Sequence, residues 1–297
     1  MISHRFKAMG TTVTLYGPRS EDFAAAASIT EATFETEEQR FSRFRPDSEL
    51  SRVNRRAGRP TWISEGFAQV VQLALDASER TDGLFDPTVL HALEGAGYDR
   101  DLDEVLARSP FIRPALTPSP VATAVRDTVR LEGNSLLLAE GVGLDFGGIA
   151  KGWTADRAAE AASDMLGWAM VDAGGDMRLS PGAAGMVVAI EDPQVEEETL
   201  TQLTLDSGAL ATSSTLRRHW GRDLHHLIDP RHGVPSRTGV LQATAWGATC
   251  AEAEVNAKWA LLAGRPVLDR IGALLLMEGG EIVTNLPCGV VPREESA

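Results

Sequence analysis

The chain contains 297 residues with a formal net charge of −14, and 43% of them are hydrophobic. A chain of this length and apolar content builds either one large domain or two intimately packed halves, and its acidity argues against a nucleic-acid partner. Cys250 and Cys288 are too few for a disulfide framework, and the sequence has no zinc-ligand spacing.

The N-terminal stretch alternates loosely like a strand over residues 6–16, with an interruption at Met9-Gly10-Thr11. No basic and apolar leader precedes it, and the longest apolar run, near Ala273, is too short to span a bilayer. We therefore predict a cytoplasmic protein without a membrane span.

Three segments of the first third have helical features. Residues 21–39 are rich in Ala and Glu, and Ser48 is placed to cap a helix within the polar stretch 41–54. The clearest helix covers residues 64–80, where Ser64 is placed to cap it and the apolar residues form one stripe. Phe44, in the polar stretch, is either a core aromatic residue or a stacking platform for a flat ring.

The middle of the chain contains a break in regular structure. Residues 99–120 are first charged and then rich in proline, which predicts a surface excursion between two halves. Residues 125–138 have the pattern of a hairpin that turns at Gly133-Asn134.

The most informative stretch follows this hairpin. The apolar run of residues 135–138 and 142–146 predicts a strand, Gly147-Gly148 a tight loop, and the Ala-rich residues up to Leu166 an amphipathic helix. Such a loop exposes backbone N–H groups and a helix N-terminus, to which Lys151 adds a cation and Asp145 an anion. The loop is therefore either a phosphate site or a structural glycine turn with two solvated charges.

The C-terminal half combines strands with one helix. Short strands and a last hairpin are predicted over residues 169–171, 187–190, 201–205, 241–246 and 273–285. Residues 249–262 predict a helix that carries Glu252 and Asn256 four positions apart on one face.

Five loop motifs of similar design recur along the chain. Most of them are glycine or aspartate turns, and they lie at residues 83–88, 145–151, 172–176, 211–214 and 225–230. One such turn is common, whereas five in one chain predict a single polar cleft built from loops.

Taken in order, these motifs resemble the ApbE family, the FAD:protein FMN transferases. The resemblance is carried by Met9-Gly10-Thr11, residues 41–54, Gly83-Leu84-Phe85-Asp86-Pro87-Thr88, residues 145–156, Gly174-Gly175-Asp176, Ala211-Thr212-Ser213 and His226-Leu227-Ile228-Asp229-Pro230. It implies an α+β fold related to the T-fold, with mixed sheets and flanking helices. Residues 1–297 then form a single domain of two intimately packed halves, with a subdomain junction near residues 99–120.

The resemblance also implies an activity. The family binds FAD and Mg²⁺, cleaves the pyrophosphate, places FMN on a threonine of an acceptor flavoprotein through a phosphoester bond, and releases AMP. Asn54 occupies a position that the family uses to limit simple hydrolysis of FAD. Mapped onto this sequence, the flavin and nucleotide contacts fall on Met9, Phe44, Leu84, Phe85, Asp86, Asp145, Lys151, His226 and Ile228.

Proton transfer from the incoming hydroxyl needs a general base, and the two catalytic candidates are Asp145 and His226. The resemblance places His226 beside the pyrophosphate, and His225 next to it is able to share that role. The sequence does not decide between the two candidates.

The predicted metal site is where the sequence departs from the family. The resemblance implies that Mg²⁺ binds a backbone carbonyl, here that of Gly148, and two side chains of the late helix: the Asp of an Ala-Asp pair and a Thr four residues after that Asp. We place Glu252 in the Asp position and Asn256 in the Thr position, and both side chains are longer than those they replace. Such a site is shifted, weaker, better suited to another divalent cation, or lost. If it is lost, both residues lie on a solvated helix face.

Three functions therefore remain open. The first is divalent-metal-dependent transfer of FMN from FAD to an acceptor flavoprotein. The second is a non-catalytic FAD-binding protein with a degraded metal site, and the third is an FAD pyrophosphatase that yields FMN and AMP. The sequence names no acceptor.

Overall fold

The computed structural model describes residues 1–108, 125–183, 185–195, 197–221 and 223–286, and the backbone of residues 290–291. Its helices are α1 (Phe23–Phe41), α2 (Glu49–Asn54), α3 (Glu65–Arg80), α4 (Leu90–Gly95), α5 (Leu102–Leu106), α6 (Val125–Thr128), α7 (Ala150–Leu166) and α8 (Cys250–Ala263), with a 3₁₀ helix at Arg265–Asp269. Its strands are β1 (Ile2–Ala8), β2 (Thr11–Gly17), β3 (Thr61–Trp62), β4 (Val129–Glu132), β5 (Ser135–Leu138), β6 (Met170–Ala173), β7 (Asp176–Leu179), β8 (Met186–Glu191), β9 (Thr199–Leu205), β10 (Gly208–Ser214), β11 (His219–Trp220), β12 (Leu224–His225), β13 (Ile228–Asp229), β14 (Val234–Pro235), β15 (Val240–Gly247), β16 (Ala273–Met277), β17 (Ile282–Thr284) and β18 (Val290–Val291).

The chain divides into two compact units, each assembled from separated stretches. Unit 1 comprises Met1–Glu35, Lys151–Arg217 and Gly239–Ala297, and unit 2 comprises Thr36–Ala150 and Arg218–Thr238. The single domain with a junction near residues 99–120 stays a prediction, because residues 109–120 lie outside the described part of the chain.

Unit 1 is built on an eight-stranded sheet in the order β1-β2-β6-β7-β10-β15-β16-β17, in which every neighbouring pair is antiparallel. The β1–β2 hairpin closes with a two-residue turn, Met9-Gly10, whose φ angles are 50° and 67°. Glycine adopts a positive φ without cost, whereas methionine is strained by it. The hairpin therefore holds Met9 in an unusual conformation.

Helix α8 packs against four strands of this sheet, namely β7, β10, β15 and β16. Eleven of its 14 residues are buried, so its apolar residues cover nearly all sides. Thr249 caps the helix, and its hydroxyl accepts a hydrogen bond from the Glu252 N–H at 3.1 Å. The predicted helix over residues 249–262 is confirmed.

A second, three-stranded sheet of unit 1 has the order β18-β9-β8. Buried residues of β8 and β9 form an apolar cluster with residues of β6, β7 and β10, including Val188, Leu203, Leu179 and Leu210. The strands predicted over residues 169–171, 187–190, 201–205 and 241–246 are confirmed within this unit as β6, β8, β9 and β15.

Unit 2 contains the end of α1, helices α2 to α6, the sheet β3-β5-β4 and the two small hairpins β11–β12 and β13–β14. Its core includes the rings of Phe41, Phe67 and Phe146, whose centroids lie 5.4 to 5.8 Å apart. Since Phe146 directly follows Asp145, this aromatic cluster anchors the glycine loop at residues 147–149.

The elements with strong local signals are confirmed. Ser48 accepts a hydrogen bond from Ser51 N–H at 2.9 Å at the start of α2, and Ser64 accepts one from Phe67 N–H at 3.3 Å at the start of α3. The last hairpin is present as β16–β17. The fold is α+β, as predicted.

Of the strand predicted over residues 135–138 and 142–146, the first part is confirmed as β5 and the second part is wrong. The side chain of Asn54 takes both backbone groups of Leu144 instead: its amide donates to the carbonyl and its oxygen accepts from the N–H, each at 2.8 Å. The Asp145 N–H donates to the Pro87 carbonyl at 2.8 Å. Because these partners satisfy the backbone, the segment needs no neighbouring strand.

Two further expectations need correction. Residues 211–214, predicted as a loop, belong to β10, where the Thr212 and Thr244 hydroxyls of neighbouring strands lie 2.9 Å apart. Residues 125–128 form α6 before the predicted hairpin of β4 and β5 begins.

Strand β7 was not predicted, because it has four residues and follows directly on a glycine pair. Of the described helices, none combines the length and apolar character needed to cross a membrane.

Candidate functional site

A buried cluster of four charges in unit 1 contains Lys151, the cation of the predicted phosphate loop. Its ammonium group bonds to Asp176, at the start of β7, and to Glu254 Oε1 at 2.7 Å. Lys258, one helical turn after Glu254 on α8, approaches the same oxygen at 3.3 Å. The other oxygen, Glu254 Oε2, accepts the N–H of Gly152 at 2.9 Å. The cluster thus pairs two ammonium groups with two carboxylates.

The electrostatics of this cluster follow from burial and pairing. Burial alone would raise the pKa of Glu254, but the ammonium groups of Lys151 and Lys258 lower that pKa to about 2. The pKa of Asp176 is raised, because its burial outweighs the attraction of Lys151. Burial also lowers the pKa of Lys258, against the opposing effect of Glu254. The ionised form is therefore stabilised more strongly in Glu254 than in Asp176.

The starts of α7 and α8 meet at very close range. A Cβ added to Gly152 would lie 2.5 Å from the Cys250 carbonyl oxygen and 2.7 Å from the Ala251 nitrogen. Asp156, one turn further along α7, accepts the Cys250 and Ala251 N–H groups at 2.7 and 3.0 Å. A carboxylate of one helix thus caps the other, and this contact places Glu254 beside Lys151.

The side chains predicted to bind metal make contacts with the backbone. Glu252 Oε2 accepts the Ala248 N–H at 2.9 Å, and the Asn256 amide donates to the Trp246 carbonyl at 3.0 Å. Asn256 is buried, whereas Glu252 is half-buried. Gly148 lies in the turn before α7, in unit 2. The metal site at Gly148, Glu252 and Asn256 stays a prediction.

An aromatic and cationic cluster in unit 2 contains Phe44 and Asp145. The guanidinium of Arg43 lies 4.2 Å from the centroid of the Phe44 ring and 4.5 Å from that of Tyr98. Its Nε contacts Asp145 Oδ2 at 2.8 Å, and Asp145 Oδ1 accepts the Gly147 N–H at 2.8 Å. Phe44 is 39% exposed, so it is not an interior core residue.

Arg43 was missed by the sequence reasoning, and it is the central residue of this cluster. Its Nη2 atom is buried and has no hydrogen-bond partner among the described residues. Arg43 therefore orients Asp145 and keeps one buried donor for an acceptor group of a ligand. Burial raises the pKa of Tyr98, which keeps its hydroxyl protonated.

The Gly83 to Thr88 loop has a buried and a polar part. Phe85 is buried, and its N–H donates to the Thr81 hydroxyl at 2.9 Å, while Leu84 is half-buried. Asp86 accepts hydrogen bonds from the Thr88 N–H and hydroxyl at 2.7 and 2.6 Å. Burial raises the pKa of Asp86, although these bonds oppose the shift. Contacts of this loop with FAD remain predictions.

The two adjacent histidines have different surroundings. His225 is buried, with Nε2 3.0 Å from the Ser236 carbonyl and Nδ1 accepting the Leu227 N–H at 3.2 Å. His226 is only partly buried, and its Nδ1 lies 3.3 Å from the Arg218 carbonyl. Ile228 is buried in the apolar cluster of Tyr98 and Trp220. His225 is thus bonded at both ring nitrogens, which does not suit it to share the role predicted for His226.

The predicted residues fall into both units. Unit 1 holds Met9, Lys151, Glu252 and Asn256, and unit 2 holds Phe44, Leu84, Phe85, Asp86, Asp145, Gly148, His226 and Ile228. Sequence reasoning missed Lys258 and Glu254, although a signal was available: the chain has only three lysines, at positions 7, 151 and 258. A lysine in the middle of an apolar helix is an unusual placement that marks a buried ion pair.

Comparisons with known proteins identify the same family that the ordered motifs resemble. The profile of the ApbE family matches residues 9–272. The chain is 30% identical over 227 residues to the FAD:protein FMN transferase of Rhodobacter capsulatus, covering 73% of this chain and 42% of that protein. It is 28% identical over 203 residues to a protein of the same name from Klebsiella pneumoniae, covering 64% and 60%. The chain therefore spans less than two thirds of either relative.

The fold is also that of a solved structure. The crystal structure of the ApbE protein from Thermotoga maritima superimposes with a TM-score of 0.83 at 26% identity, over 96% of both chains. The similarity therefore extends over nearly all of the present chain.

Proposed function

Because the chain belongs to the ApbE family, we propose that it is an FAD:protein FMN transferase, which moves FMN from FAD to a threonine of an acceptor flavoprotein. The family match over residues 9–272 is the observation that carries this proposal. The names of the curated relatives support the same reaction. The cytoplasmic location expected from the sequence stays a prediction.

The reaction is a phosphoryl-type transfer. The threonine oxygen of the acceptor attacks the phosphorus of the FMN half, and a new P–O–C phosphoester bond forms. The P–O bond to the AMP half breaks, AMP leaves with the bonding electrons, and the hydroxyl proton passes to a base. Catalysis of such a step depends mainly on positioning and on cations that balance charge on the phosphates.

The contacts support different roles for the two predicted catalytic residues. Both oxygens of Asp145 already accept hydrogen bonds or ion pairs, from Arg43 and from Gly147 N–H. We assign Asp145 to orientation of the ligand and His226 to acceptance of the proton. Lys151 lies at the start of α7, where a cation and backbone N–H groups suit a phosphate.

The family implies a divalent cation, for which the acidic and amide side chains of α8 are the candidate ligands. One oxygen of Glu252 and the NH₂ group of Asn256 are bonded to the backbone, and both oxygens of the buried Glu254 accept from ammonium or N–H groups. Among the described residues, no three His, Cys, Asp or Glu side chains converge as a metal site. The Glu254 carboxylate thus does not fit Mg²⁺. The site at Gly148, Glu252 and Asn256 stays a prediction, and no step is assigned to a divalent cation.

Incubation of the purified protein with FAD and a threonine-bearing acceptor tests the function. We expect the mass of the acceptor to increase by one FMN less one water, with AMP released in equal amount. His226→Gln should lower the rate by roughly 10²- to 10⁴-fold while FAD binding persists. A variant with full transfer rate would remove His226 from the reaction.

The same experiment separates the two alternatives. A non-catalytic FAD-binding protein would bind FAD without release of AMP, and an FAD pyrophosphatase would release AMP and free FMN without labelling any acceptor. Replacement of the target threonine by valine provides the control, because it removes the attacking oxygen and leaves the acceptor otherwise similar in size.

A further inference from the structure

The chain concentrates its lysines in one place. It has 28 basic residues, but only three are lysines, and two of these, Lys151 and Lys258, contact the same Glu254 carboxylate. The side chain of Lys258 is 14% exposed and that of Glu254 is fully buried. An ammonium group held this deep, on the same carboxylate as the Lys151 of the predicted phosphate loop, suggests a function beyond packing.

The ammonium group of Lys258 has more N–H donors than it has hydrogen-bond partners among the described residues. An ammonium group carries three N–H donors, and the one hydrogen-bond partner of Lys258 among the described residues is Glu254 Oε1. Lys151, by contrast, is engaged with both Asp176 and Glu254. Lys258 is therefore the member of the cluster that is better able to donate hydrogen bonds to a ligand.

The helix contains two matches to the pattern expected of metal ligands. Ala251-Glu252 and Ala253-Glu254 are both Ala-acid pairs, and the residues four positions after the acids are Asn256 and Lys258. The structure distinguishes them, because Glu254 contacts the Lys151 and Gly152 of the loop-proximal turn of α7, whereas Glu252 bonds to Ala248. If Glu254 is the acid of the pattern, the residue in the position of the second ligand is Lys258.

A divalent cation does not fit this pair. Glu254 has no oxygen without a donor, since Oε1 meets two ammonium groups and Oε2 meets the Gly152 N–H. A metal bound to either oxygen would lie close to both ammonium groups and be repelled by them. Lys258 also has no lone pair to offer a metal while it is protonated.

We propose that Lys258 supplies the positive charge for which the family uses a metal: with Lys151, it binds the pyrophosphate of FAD, so FAD binding and FMN transfer need no divalent cation. This inference rests on the proposed function, because FAD is the ligand assumed. Asp176 and Glu254 hold the two ammonium groups in place and keep the resting cluster neutral.

Titration of FAD into the wild-type protein is the first test. Flavin fluorescence should report the same Kd, within about twofold, in excess chelator and in millimolar Mg²⁺, because the cation is part of the chain. Transfer to an acceptor should proceed at equal rates in the two buffers. Binding that requires Mg²⁺ would overturn the inference while leaving the transferase proposal intact.

Substitution of Lys258 is the second test. Lys258→Met keeps an unbranched side chain only one atom shorter but removes its charge, and it should weaken FAD binding by roughly 10- to 100-fold in chelator. Lys7→Met is the matched control, because Lys7 is the remaining lysine and lies on β1, bonded to Thr12. Unchanged FAD affinity in a folded Lys258→Met protein would overturn the inference.

A third variant covers the case in which Lys258→Met does not fold. Removal of the lysine leaves Glu254 with one ammonium partner fewer, so Glu254→Gln combined with Lys258→Met restores neutrality of the pair. We expect this double variant to fold and still bind FAD weakly in chelator. Wild-type affinity in it would contradict the role of Lys258. Absence of FAD binding to the wild type in both buffers would overturn this inference and the transferase proposal together.

Discussion

Single side chains of this protein bind backbone groups or join neighbouring elements, as the hydrogen bonds of secondary structure do elsewhere in the chain. Asn54 binds both backbone groups of Leu144, and Asp156 caps α8 from another helix. Arg43 similarly joins Asp145 to the rings of Phe44 and Tyr98. Because each of these residues satisfies several partners at once, its substitution affects more than one element.

Phe44→Ala should weaken FAD binding by about 1–3 kcal/mol if a ring of FAD stacks on Phe44. The ring is 39% exposed and backed by the Arg43 guanidinium, so one face remains for a ligand. Flavin fluorescence titration measures the change. Trp62→Ala is the control, since Trp62 is 76% exposed on β3 and has no predicted role. Equal affinity of Phe44→Ala and wild type would exclude stacking.

The stability of the protein should fall in mild acid because of His225. Burial lowers the pKa of this imidazole below its ordinary value of about 6.5, and its two hydrogen bonds require the neutral form with the proton on Nε2. The unfolded chain then binds more protons than the folded one. The stabilisation is complete above about pH 6.5 and is lost as the pH falls through the lowered pKa.

Urea unfolding between pH 5 and 8 measures this effect. The contribution of His225 to the slope should not exceed about 1.4 kcal/mol per pH unit. His225→Asn should flatten the profile in mild acid, while His91→Gln, at an exposed position on α4, should leave it unchanged. A profile of the same slope in His225→Asn would contradict the assignment.

At the scale of elements, α8 combines two requirements that usually exclude each other. It is buried on nearly all sides against the large sheet, yet it carries Glu254 and Lys258. The conflict is resolved by α7, which supplies an ammonium group, a backbone N–H and a capping carboxylate. The two helix starts therefore act as one structural unit, and their close contact is essential to the charged cluster.

Gly152→Ala should destabilise the protein by about 1–3 kcal/mol or more. The added methyl group would overlap the backbone of Cys250 and Ala251, at 2.5–2.7 Å, and backbone atoms cannot move aside like a flexible side chain. Gly95→Ala is a matched control at the end of α4, where a Cβ meets nothing within 4 Å. Chemical denaturation measures both, and comparable stability of the two variants would contradict the tight contact.

At the scale of the whole molecule, the chain must bind an anionic ligand despite a net charge of −14. The long-range field repels a pyrophosphate, so affinity has to come from local cations at short range. The lysine cluster provides such cations, and the attraction of its two carboxylates offsets the repulsion between the two ammonium groups. The net charge of the chain therefore repels FAD, whereas the ammonium groups of the lysine cluster attract its pyrophosphate.

The rate of FAD association should accordingly rise with salt. The screening length shrinks from about 30 Å at 0.01 M to about 8 Å at 0.15 M ionic strength, which removes most of the repulsion between chain and ligand. Stopped-flow fluorescence measures the association rate constant, with uncharged riboflavin as the control ligand. A rate constant for FAD that falls with salt would indicate that attraction dominates the encounter.

The sequence by itself determined the elements whose signals are local. The caps Ser48 and Ser64, the helical stripe of α3 and the turn at Gly279-Gly280 each act within a few residues of the chain, and all are present in the structure. The ordered motifs were also sufficient to indicate the family, because each motif is a short contiguous string.

Only the tertiary structure decided which acidic residue of α8 meets Lys151. The contacts of Lys151 with Asp176 and Glu254 span 25 and 103 positions, so no local pattern encodes them. Helix α8 is buried on nearly all sides. Its hydrophobic periodicity therefore does not indicate whether Glu252 or Glu254 faces Lys151. The packing of α7 on α8 at Gly152 resolves this ambiguity, because the close approach of the two backbones turns Glu254 and Lys258 toward the ammonium group of Lys151.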